Sequence, residues 1–154
     1  MIKILFVCHG NICRSPMAEF IMKDLVKKAG LEKQFLIESA AVSAEELGNP
    51  VYAPAKRVLA ARGIGCAGKR AQLIAESDYK RYDLIIGMDR SNMRWMQRIF
   101  GSDPGEKLNL LLDWTDNPHD VADPWYTDDF ETTERDIDEG CSALLEKLIR
   151  SGRV

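Results

Sequence analysis

Short apolar runs alternate with segments of helical period along the chain, and this pattern restricts the fold more than any other feature of the sequence. Ile2 to Val7 is a near-continuous apolar run, as expected of a strand buried on both faces. From Pro16 to Lys28 the apolar residues Met17, Phe20, Ile21, Leu25 and Val26 share one helical face, and Pro16 suits a first helical position. Further strands are expected at Phe35 to Val42, at Asp83 to Met88 (DLIIGM) and at Leu108 to Leu112 (LNLLL). Helices are expected at Pro54 to Arg62, stopped by Gly63, and at Ser91 to Phe100. A last helix falls within Asp129 to Arg150, where Ile137, Cys141, Leu144, Leu145, Leu148 and Ile149 follow a 3-4 spacing. Such alternation implies an α/β fold, a parallel sheet doubly wound by right-handed crossovers, with ligands at the carboxyl ends of the strands. The 154 residues show no repeat or linker and are expected to form a single domain, 1–154.

Charge and cysteine usage remove several function classes. A net charge of −3 without a basic run argues against a nucleic-acid partner, because phosphate backbones demand clustered Lys and Arg. No apolar stretch approaches the roughly 20 residues that span a bilayer, and no signal-peptide pattern opens the chain, so a cytoplasmic protein without a membrane partner is expected. Cys8, Cys13, Cys66 and Cys141 are too few and too irregular for a disulfide scaffold and should be thiols. They match no zinc-ligand spacing with the two histidines, and no metal site is expected.

The chemistry concentrates where the first strand meets the first helix, in VCHGNICRSP, Val7 to Pro16. A strand-to-helix loop offers successive backbone N–H groups, Gly10 is free to take positive φ, and the helix turns its positive end inward. Such a nest holds a tetrahedral oxyanion. Arg14 adds a planar fork able to grip two phosphate oxygens. Cys8, at the strand end, would lie beneath the anion, where the same positive field favours a thiolate aimed at phosphorus. Ser15 has two possible uses for its hydroxyl, capping the helix or touching the thiolate. Cys13 is either a packing residue or, five residues from a reactive cysteine, the partner in a reversible disulfide that protects Cys8 from overoxidation.

This loop resembles the C-x5-R-S phosphate-binding loop of the low-molecular-weight protein tyrosine phosphatases. The resemblance continues through ESAAVS at Glu38 to Ser43, YDLIIGMDRSN at Tyr82 to Asn92, DPWY at Asp123 to Tyr126, and the closing helix with Cys141. It implies a four-stranded parallel sheet of order 2-1-3-4 and hydrolysis of phosphotyrosine in protein substrates, without metal or cofactor, through a phosphocysteine intermediate. By position, Cys8 is then the nucleophile, Arg14 the phosphate and transition-state clamp, Asp123 the general acid, and Ser15 a hydrogen-bond donor to the thiolate, while Asn11 stabilises a strained loop. The chemistry itself asks for a group like Asp123, since one carboxyl can protonate the phenolate and later activate water. Alone, an Asp-Pro pair also reads as a turn. Trp125 and Tyr126 are expected to be exposed beside Asp123, where their rings could sandwich a phosphotyrosine ring. Ile12 stands where members acting on phosphoarginine tend to carry Thr, which favours phosphotyrosine.

Three departures from the family pattern are visible. His9 replaces the usual Leu, and Glu45 and Glu46 replace an aromatic and a polar residue, so one wall of the substrate cleft gains negative charge and should favour basic flanking residues. Gly68 stands where some members have a histidine that supports the loop asparagine, so Asn11 must be oriented otherwise. His119 receives no role. A thioredoxin-coupled arsenate reductase shares the loop but needs a further relay pair, and Cys66 and Cys141 are far apart in sequence. A non-catalytic phosphotyrosine-binding module would have lost Cys8 or Asp123, and both are present. A monomer or weak homodimer is expected.

Overall fold

In the computed structural model, which describes residues 1–154, the first apolar run forms β1 (Ile2–Cys8), buried at every residue except Lys3. Its side chains alternate: Ile4, Phe6 and Cys8 enter the larger core on one face, Leu5 and Val7 the smaller core on the other. Burial on both sides is the reason the run is unbroken. β1 lies between β2 (Phe35–Ala41) and β3 (Leu84–Gly87), and β4 (Leu108–Leu110) completes a sheet of order β2-β1-β3-β4. All pairings are parallel, with Val7 opposite Ala40 on one side and Gly87 on the other.

The helices are α1 (Arg14–Lys28), α2 (Ala53–Ala61), α3 (Asp78–Arg81), α4 (Arg90–Phe100), α5 (Pro124–Thr127) and α6 (Phe130–Arg150). Met17, Ile21 and Met22 of α1, Leu59 of α2, and Ile137, Cys141, Leu144 and Leu148 of α6 build the larger core. Met96 of α4 and Tyr82 join the smaller one. No helix is long and apolar enough to cross a membrane.

The expected elements are present with shifted ends. α1 starts at Arg14, so Pro16 is its third residue rather than its first; the first four N–H groups of a helix have no intrahelical partner, and a proline costs nothing there. The fourth strand ends at Leu110, and Leu111–Trp114 tightens into a 3₁₀ turn. α3 and α5 are single turns of four residues, too short to leave a periodicity in the sequence. Gly63 follows α2 with φ 76°, as its stop position requires. With strand order 2-1-3-4 the connections from β1 and β3 part in opposite directions, and the crevice between their carboxyl ends receives the loops that follow both strands.

Candidate active site

Residues 8–13 carry the chain from β1 into α1 and wrap the sulfur of Cys8 in donors. Asn11 N–H and Ser15 N–H donate to Cys8 Sγ over 3.3 and 3.4 Å, and Ser15 Oγ lies 3.0 Å from it. Ser15 does not cap the helix: Cys13 holds the N-cap position and Ser15 is the second helical residue, so its hydroxyl serves the sulfur. The positive φ of the loop falls on Asn11 (60°), not on Gly10 as expected. Asparagine tolerates that region when its amide is tied down. Here Nδ2 donates to Ser15 Oγ (2.7 Å) and Ser39 Oγ (2.9 Å), while Oδ1 accepts from Gln72 N–H (3.1 Å). These three contacts replace the histidine that Gly68 lacks. A Cβ at Gly10 would stand 3.2 Å from Glu46 Cγ, a contact that a small shift of the Glu46 side chain would relieve.

Arg14 is buried and its fork is held in plane. Nη1 donates to Asp89 Oδ2 at 2.7 Å and to the Val121 carbonyl at 2.9 Å, and Nη2 reaches Asp123 Oδ2 at 3.5 Å. Burial alone would lower the basicity of the guanidinium; the negative Cys8 sulfur, Asp89 and Asp123 more than offset it, and the proton is held more tightly than usual. Asp123 makes the turn that its Asp-Pro pair suggested and also faces the cleft. One carboxylate oxygen caps α5 by accepting from Trp125 N–H at 3.0 Å, and the other faces Arg14. The segment before it is tied down by Val121 N–H to the Met88 carbonyl (2.9 Å) and by the Thr133 hydroxyl to the Ala122 carbonyl (3.0 Å). His119, given no role from sequence, lies 3.5 Å from Asp136 of α6. Its hydrogen bond to the Asn117 carbonyl, reinforced by Asp136, raises its pKa against a smaller desolvation effect.

Cys8, His9, Gly10, Ile12, Cys13, Arg14, Glu45, Glu46, Asp123, Trp125 and Tyr126 line one cleft open to solvent. Asn11 and Ser15 lie buried outside its lining. Trp125 and Tyr126 are 53% and 84% exposed, as expected, and Trp125 rests against Tyr52 with ring centroids 5.1 Å apart. His9 Nε2 sits 3.2 Å from Glu45 Oε2 across the rim. Burial, aided by the nearby charges of Cys8, Asp123 and Glu46, pushes the Cys13 thiol up to about 12. Cys66 and Cys141 are buried in the larger core and line no part of the cleft.

Sequence reasoning missed Asp89, Val121, Ser39, Gln72 and Tyr52. Their partners lie 28 to 107 residues away along the chain, or in the aromatic stack with Trp125. The ESAAVS match contains Ser39 and the YDLIIGMDRSN match contains Asp89, and these were the signals that could have found them; nothing local marks Val121, Gln72 or Tyr52.

A model of the low molecular weight phosphotyrosine protein phosphatases matches residues 3–154. The chain is 39% identical over 150 residues to the low molecular weight protein-tyrosine-phosphatase YfkJ of Bacillus subtilis, covering 96% of each chain. It is 34% identical over 149 residues to the low molecular weight phosphotyrosine protein phosphatase of Homo sapiens, covering 94% of each. The crystal structure of YfkJ superposes with a TM-score of 0.95 at 38% identity, covering 98% of this chain and 96% of that one. Sheet order, loop geometry and sequence agree, and the chain belongs to the low molecular weight phosphotyrosine protein phosphatase family.

Proposed function

We propose that the chain acts, as one domain over residues 1–154, by hydrolysing phosphotyrosine in protein substrates through a phosphocysteine on Cys8. The observation that carries this reading is the convergence of Cys8, Arg14 and Asp123 on one cleft walled by Trp125 and Tyr126. The phosphate enters the loop of His9, Gly10, Asn11, Ile12 and Cys13, its charge met by loop N–H groups, the positive end of α1 and Arg14. Cys8 Sγ attacks phosphorus in line, the P–O bond to tyrosine breaks, and Asp123 gives its proton to the departing phenolic oxygen. The Asp123 carboxylate then takes a proton from water as that water attacks phosphorus, the P–S bond breaks, and inorganic phosphate leaves. No step calls for a metal or cofactor.

Substrate recognition follows from the walls. Trp125 and Tyr126 offer apolar faces to the tyrosine ring, and Glu45 and Glu46 give the opposite rim a negative field. The relay required of an arsenate reductase finds no support, because Cys141 lies fully buried with its thiol turned to the Ala18 carbonyl. The four free cysteines and the net charge of −3 fit action in the cytoplasm, without nucleic acid or membrane, as a monomer or weak homodimer.

The test is hydrolysis of p-nitrophenyl phosphate and of phosphotyrosine peptides without added metal. Cys8→Ser is expected to abolish turnover and Asp123→Ala to lower kcat by about 10²–10⁴-fold, with a smaller loss on the better leaving group. An inactive wild-type chain, or an active Cys8→Ser variant, would overturn the reading. In the same preparations, mild peroxide is expected to produce a Cys8 to Cys13 linkage detectable by mass spectrometry, formed slowly at neutral pH because the Cys13 thiol titrates near 12.

A further inference from the structure

A stripe of positive charge runs along α4, outside the cleft. This helix carries Arg90, Arg94 and Arg98 and no acidic residue, in a chain whose net charge is −3. At steps of four the three arginines share one face, about 12 Å from first to last, while Asn92 and Met96 are buried behind it. Arg94 and Arg98 meet no carboxylate; only Arg90 does, its Nε 3.8 Å from Asp120 Oδ1. Trp95 is 43% exposed beside them, with the Arg98 guanidinium 5.5 Å from its ring centre.

Both ends of the stripe bear on what it holds. At the start of α4, Asp89 accepts from Arg14 at 2.7 Å and Arg90 faces Asp120, three residues before Asp123, so the stripe begins at the edge of the cleft. At the far end, Arg98 lines a depression together with Lys80 of α3, the partly buried Tyr79, Ile99 and Phe100, and a single acid, Glu76. Arginine and tryptophan are the residue types enriched where proteins bind one another. A membrane calls for a broad polybasic patch rather than a stripe one helix wide that ends in a depression. A nucleic-acid backbone demands more clustered cations than one helix face supplies.

We propose that the exposed face of α4 docks an acidic segment of the protein substrate while its phosphotyrosine occupies the cleft. Four extended residues span about 13 Å, so a run of Asp or Glu of that length matches Arg90 to Arg98, and an apolar residue just beyond it fits the depression. The two charged surfaces then read different parts of one partner. Glu45 and Glu46 act on residues next to the phosphotyrosine, and the arginines act on a segment farther along the chain. The proposal rests on a protein being the substrate of the cleft.

The test has two arms. In the first, anisotropy follows a fluorescein-labelled peptide with a run of glutamates, a leucine and no phosphotyrosine, which reads the surface whether or not the cleft hydrolyses a phosphate ester. Wild type is expected to bind it at low ionic strength, undisturbed by inorganic phosphate, and the double variant Arg94→Glu, Arg98→Glu to bind about tenfold more weakly. In the second, phosphotyrosine peptides with neutral residues beside the phosphotyrosine carry the same run, or glutamines in its place, beyond Gly-Ser spacers of graded length. At the best spacer the glutamates should raise kcat/KM by about three- to tenfold, through KM. The double variant should lose this gain while hydrolysing p-nitrophenyl phosphate as wild type does, and Arg94→Gln, Arg98→Gln should lie between. Absent binding by wild type, equal binding by the double variant, displacement by inorganic phosphate, or an active chain that no spacer accelerates would overturn the proposal. So would tighter binding of phosphatidylserine vesicles than of the peptide. An inactive chain that still binds the peptide through α4 would fail on the cleft alone, which separates the two readings.

Discussion

At the scale of single residues, the acidic rim sets the electrostatic field at the mouth of the cleft. The Glu45 side chain is 71% exposed and bonded only to His9, which gives His9, unexplained from sequence alone, a partner across the mouth of the cleft. Glu46 accepts from Asn49 Nδ2 at 2.6 Å and packs beside Gly10. Rim charges act mainly on encounter, and salt screens them. Basic residues flanking the phosphotyrosine should therefore raise kcat/KM over acidic ones at low ionic strength. The double variant Glu45→Lys, Glu46→Lys is expected to cut that preference by about three- to tenfold, with the effect fading as salt rises. A phosphopeptide panel checks this, and a preference for acidic flanks in the wild-type chain would contradict it. That Cys8, Arg14 and Asp123 share one cleft was legible in the sequence, the first two from the residue types of one loop and Asp123 from the resemblance of its motif. The positive φ was assigned to Gly10 and belongs to Asn11, because conformational freedom identifies only a residue that could bend, while the amide contacts of Asn11 decide which one does.

At the scale of elements, α6 shows how packing overrides local preference. Gly140 lies in the middle of this 21-residue helix, where alanine would normally be favoured by about 1 kcal/mol. A Cβ at that position would stand 2.5 Å from Leu111 Cγ and 3.0 and 3.1 Å from its two methyl groups, in the 3₁₀ turn that follows β4. Leu111 is fully buried and has nowhere to retreat. Gly140→Ala is thus expected to destabilise the fold by about 1–2 kcal/mol, overpacking outweighing propensity. Urea unfolding checks the sign, and a variant as stable as wild type would show that the turn yields freely. The alternation of apolar runs and helical segments placed all four strands and the four long helices within a few residues. The single-turn helices α3 and α5 were not legible, since four residues complete no period and both depend on contacts made elsewhere.

Across the whole molecule, several buried acids shape stability at high pH. Burial pushes Cys141 up, and burial with a bond to Glu38 does the same for Tyr82, while Cys13 titrates at about 12. Each has a folded pKa above its unfolded value, so its contribution is complete below the unfolded value and is lost as pH rises toward the folded one. Lys69, shifted downward, works in the opposite sense. With Cys66 and Tyr79 also shifted upward, the acids outweigh the one base, and Tm is expected to fall by roughly 5–10 °C between about pH 8 and pH 11, a loss that Cys141→Ala should lessen. A flat Tm through that window, read by circular dichroism, would contradict this balance. The sequence by itself determined the alternation of strands and helices and the residue types of the loop, because hydrophobic period and residue type are properties of neighbours along the chain, while the strand order and the family were carried by the resemblance of its motifs. Only the tertiary structure decided what grips Arg14 and what orients Asn11. Asp89 and Val121, on the loops after β3 and β4, reach Arg14, and Ser39 of β2 and Gln72 after α2 reach Asn11, only once the parallel sheet brings these segments to one end.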